Sequence, residues 1–187
     1  MNAAKVPLKL NVEYTLRDKD GKIKPLFQLN KVGRFLLKLG AISPFVKNSL
    51  FGGWQDHMAI SNLVTSAGKA GVASRINGAG AEAAFDYVAI GIGTTAANIA
   101  DTTLESEIVT NGGQRAQDAS PTRETTDVTN DTAVTDKTFA FTGSFAVTEA
   151  GILNAASTGV LLARQVFSAI NVVSGDSLAV TWKIDVD

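Results

Sequence analysis

The chain has 187 residues and a formal net charge of −1, with 45% hydrophobic residues, 19% charged and no cysteine. That length holds one core of moderate size, and the missing thiols exclude disulfides, thiolate metal sites and a cysteine nucleophile. The charge is unevenly placed: residues 1–50 carry ten Lys or Arg against three acids, a net of +7, and residues 51–187 carry seven against fifteen, a net of −8.

The opening residues, Met1 to Pro7, lack the apolar run of a signal peptide, so export by an ordinary signal is not expected. From Leu8 to Leu16 apolar and polar side chains alternate, which predicts a half-buried strand. It runs into Arg17-Asp18-Lys19-Asp20-Gly21-Lys22, where Asp-Gly signals a hairpin turn. Ile23 to Phe27 is the expected return strand, interrupted by Pro25. Over residues 29–39 the period lengthens. Leu29, Val32, Leu36 and Leu39 share one helical face, Lys31, Arg34 and Lys38 lie mostly opposite, and Gly40 ends the helix. Pro44, Gly52 and Gly53 break the pattern up to Trp54, and apolar spacing predicts a second helix over 56–77.

Beyond residue 80 the chain reads as β. Phe85 to Ile92 is an apolar strand, and 110–138 is a Thr-, Asp- and Asn-rich stretch of long loops and edge strands. Phe139, Phe141, Phe145 and Val147 alternate, with Gly143 at the skipped inward position. Leu161 to Phe167 and Ile170 to Val173 are two further runs. Leu178, Val180, Trp182, Ile184 and Val186 form the clearest strand. Short strands with frequent turns predict an antiparallel β-sandwich or jelly-roll-like domain preceded by a hairpin and two helices, a mainly β fold of the α+β kind. The charge step suggests a basic docking arm over 1–56 and an acidic body over 57–187. No apolar run approaches the roughly 20 residues that span a bilayer.

Several motifs fail on their own terms. Gly91-Ile92-Gly93-Thr94-Thr95-Ala96 follows a strand as a dinucleotide fingerprint would, but turn-like residues follow it where a helix is required. Asp18-Lys19-Asp20-Gly21 opens like a calcium loop, yet the twelfth position is Leu29 instead of glutamate. Glu105 and Glu107, two apart, read as a solvated edge, and His57 is the only histidine, with no nucleophile motif beside it. No catalytic, cofactor or metal residues are therefore expected. Phe35, Phe45 and Trp54 could stack on bases, and 31–39 could lie on a membrane surface. Helical spacing makes most of the apolar residues packing groups, and the chain offers no second anchor.

Taken together, several segments resemble a family of small tailed-phage virion proteins. They are Arg17-Asp18-Lys19-Asp20-Gly21, Asn62-Leu63-Val64-Thr65-Ser66-Ala67-Gly68, Tyr87 through Thr95, and Asp101-Thr102-Thr103-Leu104. Val147-Thr148-Glu149-Ala150-Gly151-Ile152, Leu162 through Phe167 and Val173 through Trp182 complete the set. The resemblance covers 60–187 and, more weakly, the hairpin; 28–56 reads as an insertion. It implies a non-enzymatic virion component, of the proteins variously called decoration, head-fibre, tail or tail-fibre. The leading expectation is a multicopy capsid decoration or head-surface protein that forms homo-oligomers and docks through Lys31, Arg34, Phe35, Lys38, Leu39 and Trp54. The alternative is a tail or tail-fibre attachment protein. A polysaccharide hydrolase stands third, without a convincing carboxylate pair.

Overall fold

The computed structural model describes residues 8–186. In chain order the strands are β1 (Leu8–Arg17), β2 (Ile23–Lys24), β3 (Leu26–Leu29), β4 (Gly52–Gln55), β5 (Met58–Ser61), β6 (Leu63–Val64), β7 (Tyr87–Gly91), β8 (Ala116–Gln117), β9 (Thr122–Glu124), β10 (Thr132–Ala140), β11 (Phe145–Leu153), β12 (Leu161–Val172) and β13 (Ser177–Val186). Helix α1 (Lys31–Lys38) lies between β3 and β4, and α2 (Ser66–Asn77) between β6 and β7.

The alternation in β1 has the expected consequence. Leu10, Val12, Tyr14 and Leu16 are buried, and β1 pairs antiparallel with β13 from Leu8–Val186 to Arg17–Ser177. The first sheet runs β2-β1-β13-β10-β9, with β5 sharing the outer edge of β1. The second runs β6-β12-β11-β7-β8. Every pairing is antiparallel. Both sheets feed one core: Tyr14, Val180 and Trp182 from the first meet Val147, Ile152 and Ile170 from the second. The rings of Tyr14 and Phe167 lie 4.4 Å apart across it. The molecule is thus mostly β with antiparallel sheets. Phe139, Phe141 and Ile184 also point inward, with Phe145 partly buried against them.

The hairpin turn forms as its sequence dictates: the Asp18 carboxylate accepts from the Asp20 and Lys22 N–H groups, and Gly21 takes a φ of 79°. Pro25 cannot donate to a ladder, and the return strand splits there into β2 and β3.

Other expectations are corrected. The helix read over 56–77 begins only at Ser66. Met58 and Ile60 are buried while Ala59 and Ser61 are exposed, a period of two that lays β5 against β1. Thr65 then caps α2, its hydroxyl accepting from the Gly68 N–H at 2.8 Å. The stretch read as long loops and edge strands over 110–138 does hold the edge strand β9, but it also contains most of β10, an interior strand that pairs with β13 along its whole length; threonine is a favourable strand former. Gly143 lies in the turn between β10 and β11, not at an inward strand position. The two runs over 161–173 are one strand, β12, with an irregular register opposite Val147 and Glu149. Residue 56 is not a structural boundary either, because β1 is an interior strand of the first sheet and supplies core residues.

Candidate functional site

Helix α1 starts where Asn30 can cap it: the Asn30 carbonyl accepts from the Gly33 N–H, and its amide donates to the Leu50 carbonyl. The second contact ties the helix to the segment returning toward β4. The buried side of α1 is formed by Gly33 and Leu37. A Cβ at Gly33 would collide with the Phe51 carbonyl oxygen, so glycine allows this close approach. Leu37 joins Phe27 and Leu29 in a small satellite core.

That arrangement overturns the expected orientation. Of the four residues assigned to the packing face, Leu29 is buried and Leu36 half-buried, while Val32 and Leu39 are 58% and 63% exposed. Phe35 lies on the same stripe at 60%. Residues 32, 35 and 39 share one helical face, so an apolar stripe is turned to water. Lys31, Arg34 and Lys38 are exposed beside it. Trp54 stands apart on β4, with its ring edge-on to Phe27 at 5.6 Å. Lys47 Nζ lies 5.1 Å from the Trp54 ring centroid, within cation–π range, and partial burial lowers the Lys47 pKa. The helix therefore brings together five of the six expected docking residues, and Trp54 forms a second station. Val32 and Lys47 were missed as site residues. Phe45 and Leu50, between α1 and β4 in the chain, are also exposed.

A second polar constellation lies in the other sheet. Glu149, fully buried in β11, accepts hydrogen bonds from the N–H groups of Gly93, Glu105 and Ser106 and from Arg164 Nε at 2.8 Å. Arg164 also reaches Asp101 at 2.9 Å and Glu105 at 3.4 Å. Burial opposes the Arg164 charge, but Asp101 and Glu149 outweigh it and raise its pKa. The Thr95 N–H and hydroxyl, joined by Arg164, hold the Glu105 carboxyl below its ordinary range. Glu107 makes a two-pronged ion pair with Arg115, at 2.6 and 2.9 Å. The two glutamates are thus committed to different cations and tie down the 92–107 segment. Gly91 and Gly93 are glycines because a Cβ at either would strike the Glu149 carboxylate.

Among the described residues, no group of three or more His, Asp or Glu is arranged to hold a metal ion, and no helix is long and apolar enough to cross a membrane. No protein-family model, curated protein or solved structure matches the chain.

Proposed function

We propose that this chain is a structural protein of a tailed-phage virion, most simply a multicopy capsid decoration or head-surface protein, whose two sheets make a β-sandwich body. The observation that carries the docking part is the apolar stripe Val32, Phe35 and Leu39, exposed on a helix that also presents Lys31, Arg34 and Lys38. Contiguous exposed apolar surface is a mark of interaction sites, and the cations select a partner that is acidic around an apolar groove. The family resemblance over 60–187 supports the virion assignment. The acidic body, net −8 over 51–187, suits an outward face or contact with the basic region of a neighbouring copy.

The test is reconstitution onto particles that lack the protein. Phe35→Ser with Leu39→Ser alters only exposed positions and leaves the fold intact, but binding to particles is lost. Normal binding by this double variant moves the attachment surface elsewhere. Copies per particle on the order of hundreds fit a shell-covering protein, whereas about a dozen place it at the tail or its fibres.

A further inference from the structure

A groove of about 430 Å³ opens between α2, the residues leading into β7, the Pro121–Thr122 segment, the first residues of β10 and the end of β13. Its floor is apolar, made by the buried side chains of Val134, Leu162 and Ile184. Its walls are open to water: Ala84, Pro121 and Ala133 are exposed, and Val72 and Phe85 are half-buried. A partner therefore meets apolar walls directly, without first opening the core.

The same patch carries a projection. Ile76, on the α2 rim of the groove, is 83% exposed, more than any other large apolar side chain among the described residues. Further apolar area lies at this end of the first sheet. The Val186 N–H donates to the Asp131 carbonyl and the Asp131 N–H to the Val128 carbonyl, which gathers exposed Val128 and Val186 beside one another, two residues beyond Ile184 on β13. Charge then narrows the choice of partner. One cation and one anion line the groove, Arg75 and Asp86, and no ion pair joins them. Arg75 donates to the Glu82 carbonyl at 3.0 Å, and the Asp86 carboxylate accepts from the Gln117 amide at 2.8 Å. A strongly acidic or basic partner would meet one like charge here, whereas a surface bearing the same pair in reverse meets none.

We propose that the occupant is a second copy of this chain, related by a two-fold axis, with Ile76 of each copy seated in the groove of the other and Arg75 of each facing Asp86 of the other. A two-fold interface uses one patch on both copies, so that patch must hold a projection, a recess and charges of both signs. This one does. Burying the Ile76 side chains against the opposite floors supplies the hydrophobic contribution, and the two crossed ion pairs fix the orientation. The interface goes beyond the docking role of α1 and is independent of it, since Phe35 and Leu39 do not line the groove.

Sedimentation equilibrium on the full chain provides the test. The parent should show a reversible monomer–dimer equilibrium. Ile76→Lys, a change at an exposed position, should raise the dimer dissociation constant about tenfold or more, the scale of a central interface contact, with an unchanged circular dichroism spectrum. Arg75→Glu alone and Asp86→Lys alone should each weaken self-association. An equimolar mixture of those two variants should recover it, because a two-fold axis sets each new charge opposite its complement; a loss of fold in either variant would not be mended by mixing. The Phe35→Ser, Leu39→Ser double variant should dimerise like the parent even where it fails to join particles, which separates this interface from the docking reading. A parent chain that stays monomeric at every concentration overturns the proposal, and a dimer that survives Ile76→Lys places the contact elsewhere. A mixture no stronger than its components overturns the two-fold pairing of Arg75 with Asp86. A monomeric parent whose Ile76→Lys variant no longer joins particles also overturns it, and gives the groove to a different virion protein.

Discussion

Glu149 has no exposure and four hydrogen-bond donors directed at its carboxylate, three of them backbone N–H groups. Removing one partner of a buried ion pair leaves the other charge desolvated, at a cost of about 3–5 kcal/mol. Glu149→Ala should therefore lower the urea midpoint strongly and speed amide exchange at Gly93 and Ser106. An unchanged midpoint would show that Arg164 finds enough compensation in Asp101 and Glu105. A milder titration is expected in the 126–131 turn. The N–H groups of Val128, Thr126 and Asp127 hold the Asp131 carboxyl at about 2, below its ordinary 3.8. A carboxyl lowered by folding stabilises the turn above the ordinary value and loses that contribution as pH falls toward the lowered one. Amide signals of residues 126–128 should thus shift together as the pH drops below about 4, while the two-sheet core stays unmoved. Asp131→Asn should abolish that step; if it persists, another group controls the turn.

At the scale of elements, α2 is held less by its weak amphipathic pattern than by two glycines. Gly68 faces the Leu162 backbone and Gly71 the Phe85 ring, each too close for a Cβ. Gly68→Ala improves intrinsic helix propensity, yet it must push α2 off β12, and overpacking of this kind costs about 1–3 kcal/mol. The variant should be less stable than the parent, and a gain in stability would show that α2 is loosely seated. These glycines weakened the helical pattern in the sequence, where only the packing partner reveals their purpose. The long strands were legible because β1 and β13 each place one face in the core, so their alternation runs unbroken. β5 was not legible, since Met58 and Ile60 are followed within a few residues by the apolar positions of β6 and α2, and the mixture imitates a helical period. For α1, the extent of the helix and its cations could be read from the sequence, but its orientation could not. Counting apolar residues favours Val32 and Leu39 as packing groups, whereas the contact is made through Gly33, which carries no hydrophobic signal. The Glu149 cluster was equally hidden: its partners lie 15 to 56 residues away.

At the scale of the whole molecule, the basic region and the acidic body are parts of one fold. Removing residues 1–56 would take away β1 with Leu10, Val12, Tyr14 and Leu16 and uncover β13, so that truncation should unfold the chain instead of releasing an intact body. The docking segment is separable at a different place. Leu29 and Gly52 face each other in the β3–β4 ladder, so residues 30–51 form an excursion whose ends already meet. Replacing them with an Asn-Gly turn closes a two-residue hairpin. The loss includes Leu37 from the satellite core and the bond from the Ala169 N–H to the Pro44 carbonyl, while the main core keeps its residues. The excised segment carries four cations and no acid, so its removal takes the net charge from −1 to −5. The shortened chain should remain folded, with a lower melting temperature, and should no longer join particles. Lys31→Gln, Arg34→Gln and Lys38→Gln together should have a different effect. The apolar stripe survives in that variant, so attachment should become slower and less sensitive to salt, with final occupancy reduced less than by Phe35→Ser and Leu39→Ser. Exposed charges act over a screening distance of about 8–10 Å at physiological salt and mainly govern encounter rate, whereas the apolar contact resists dissociation. Attachment of the shortened chain at the parent rate would transfer docking to the body, and an unaltered salt dependence in the triple variant would remove the three cations from the encounter.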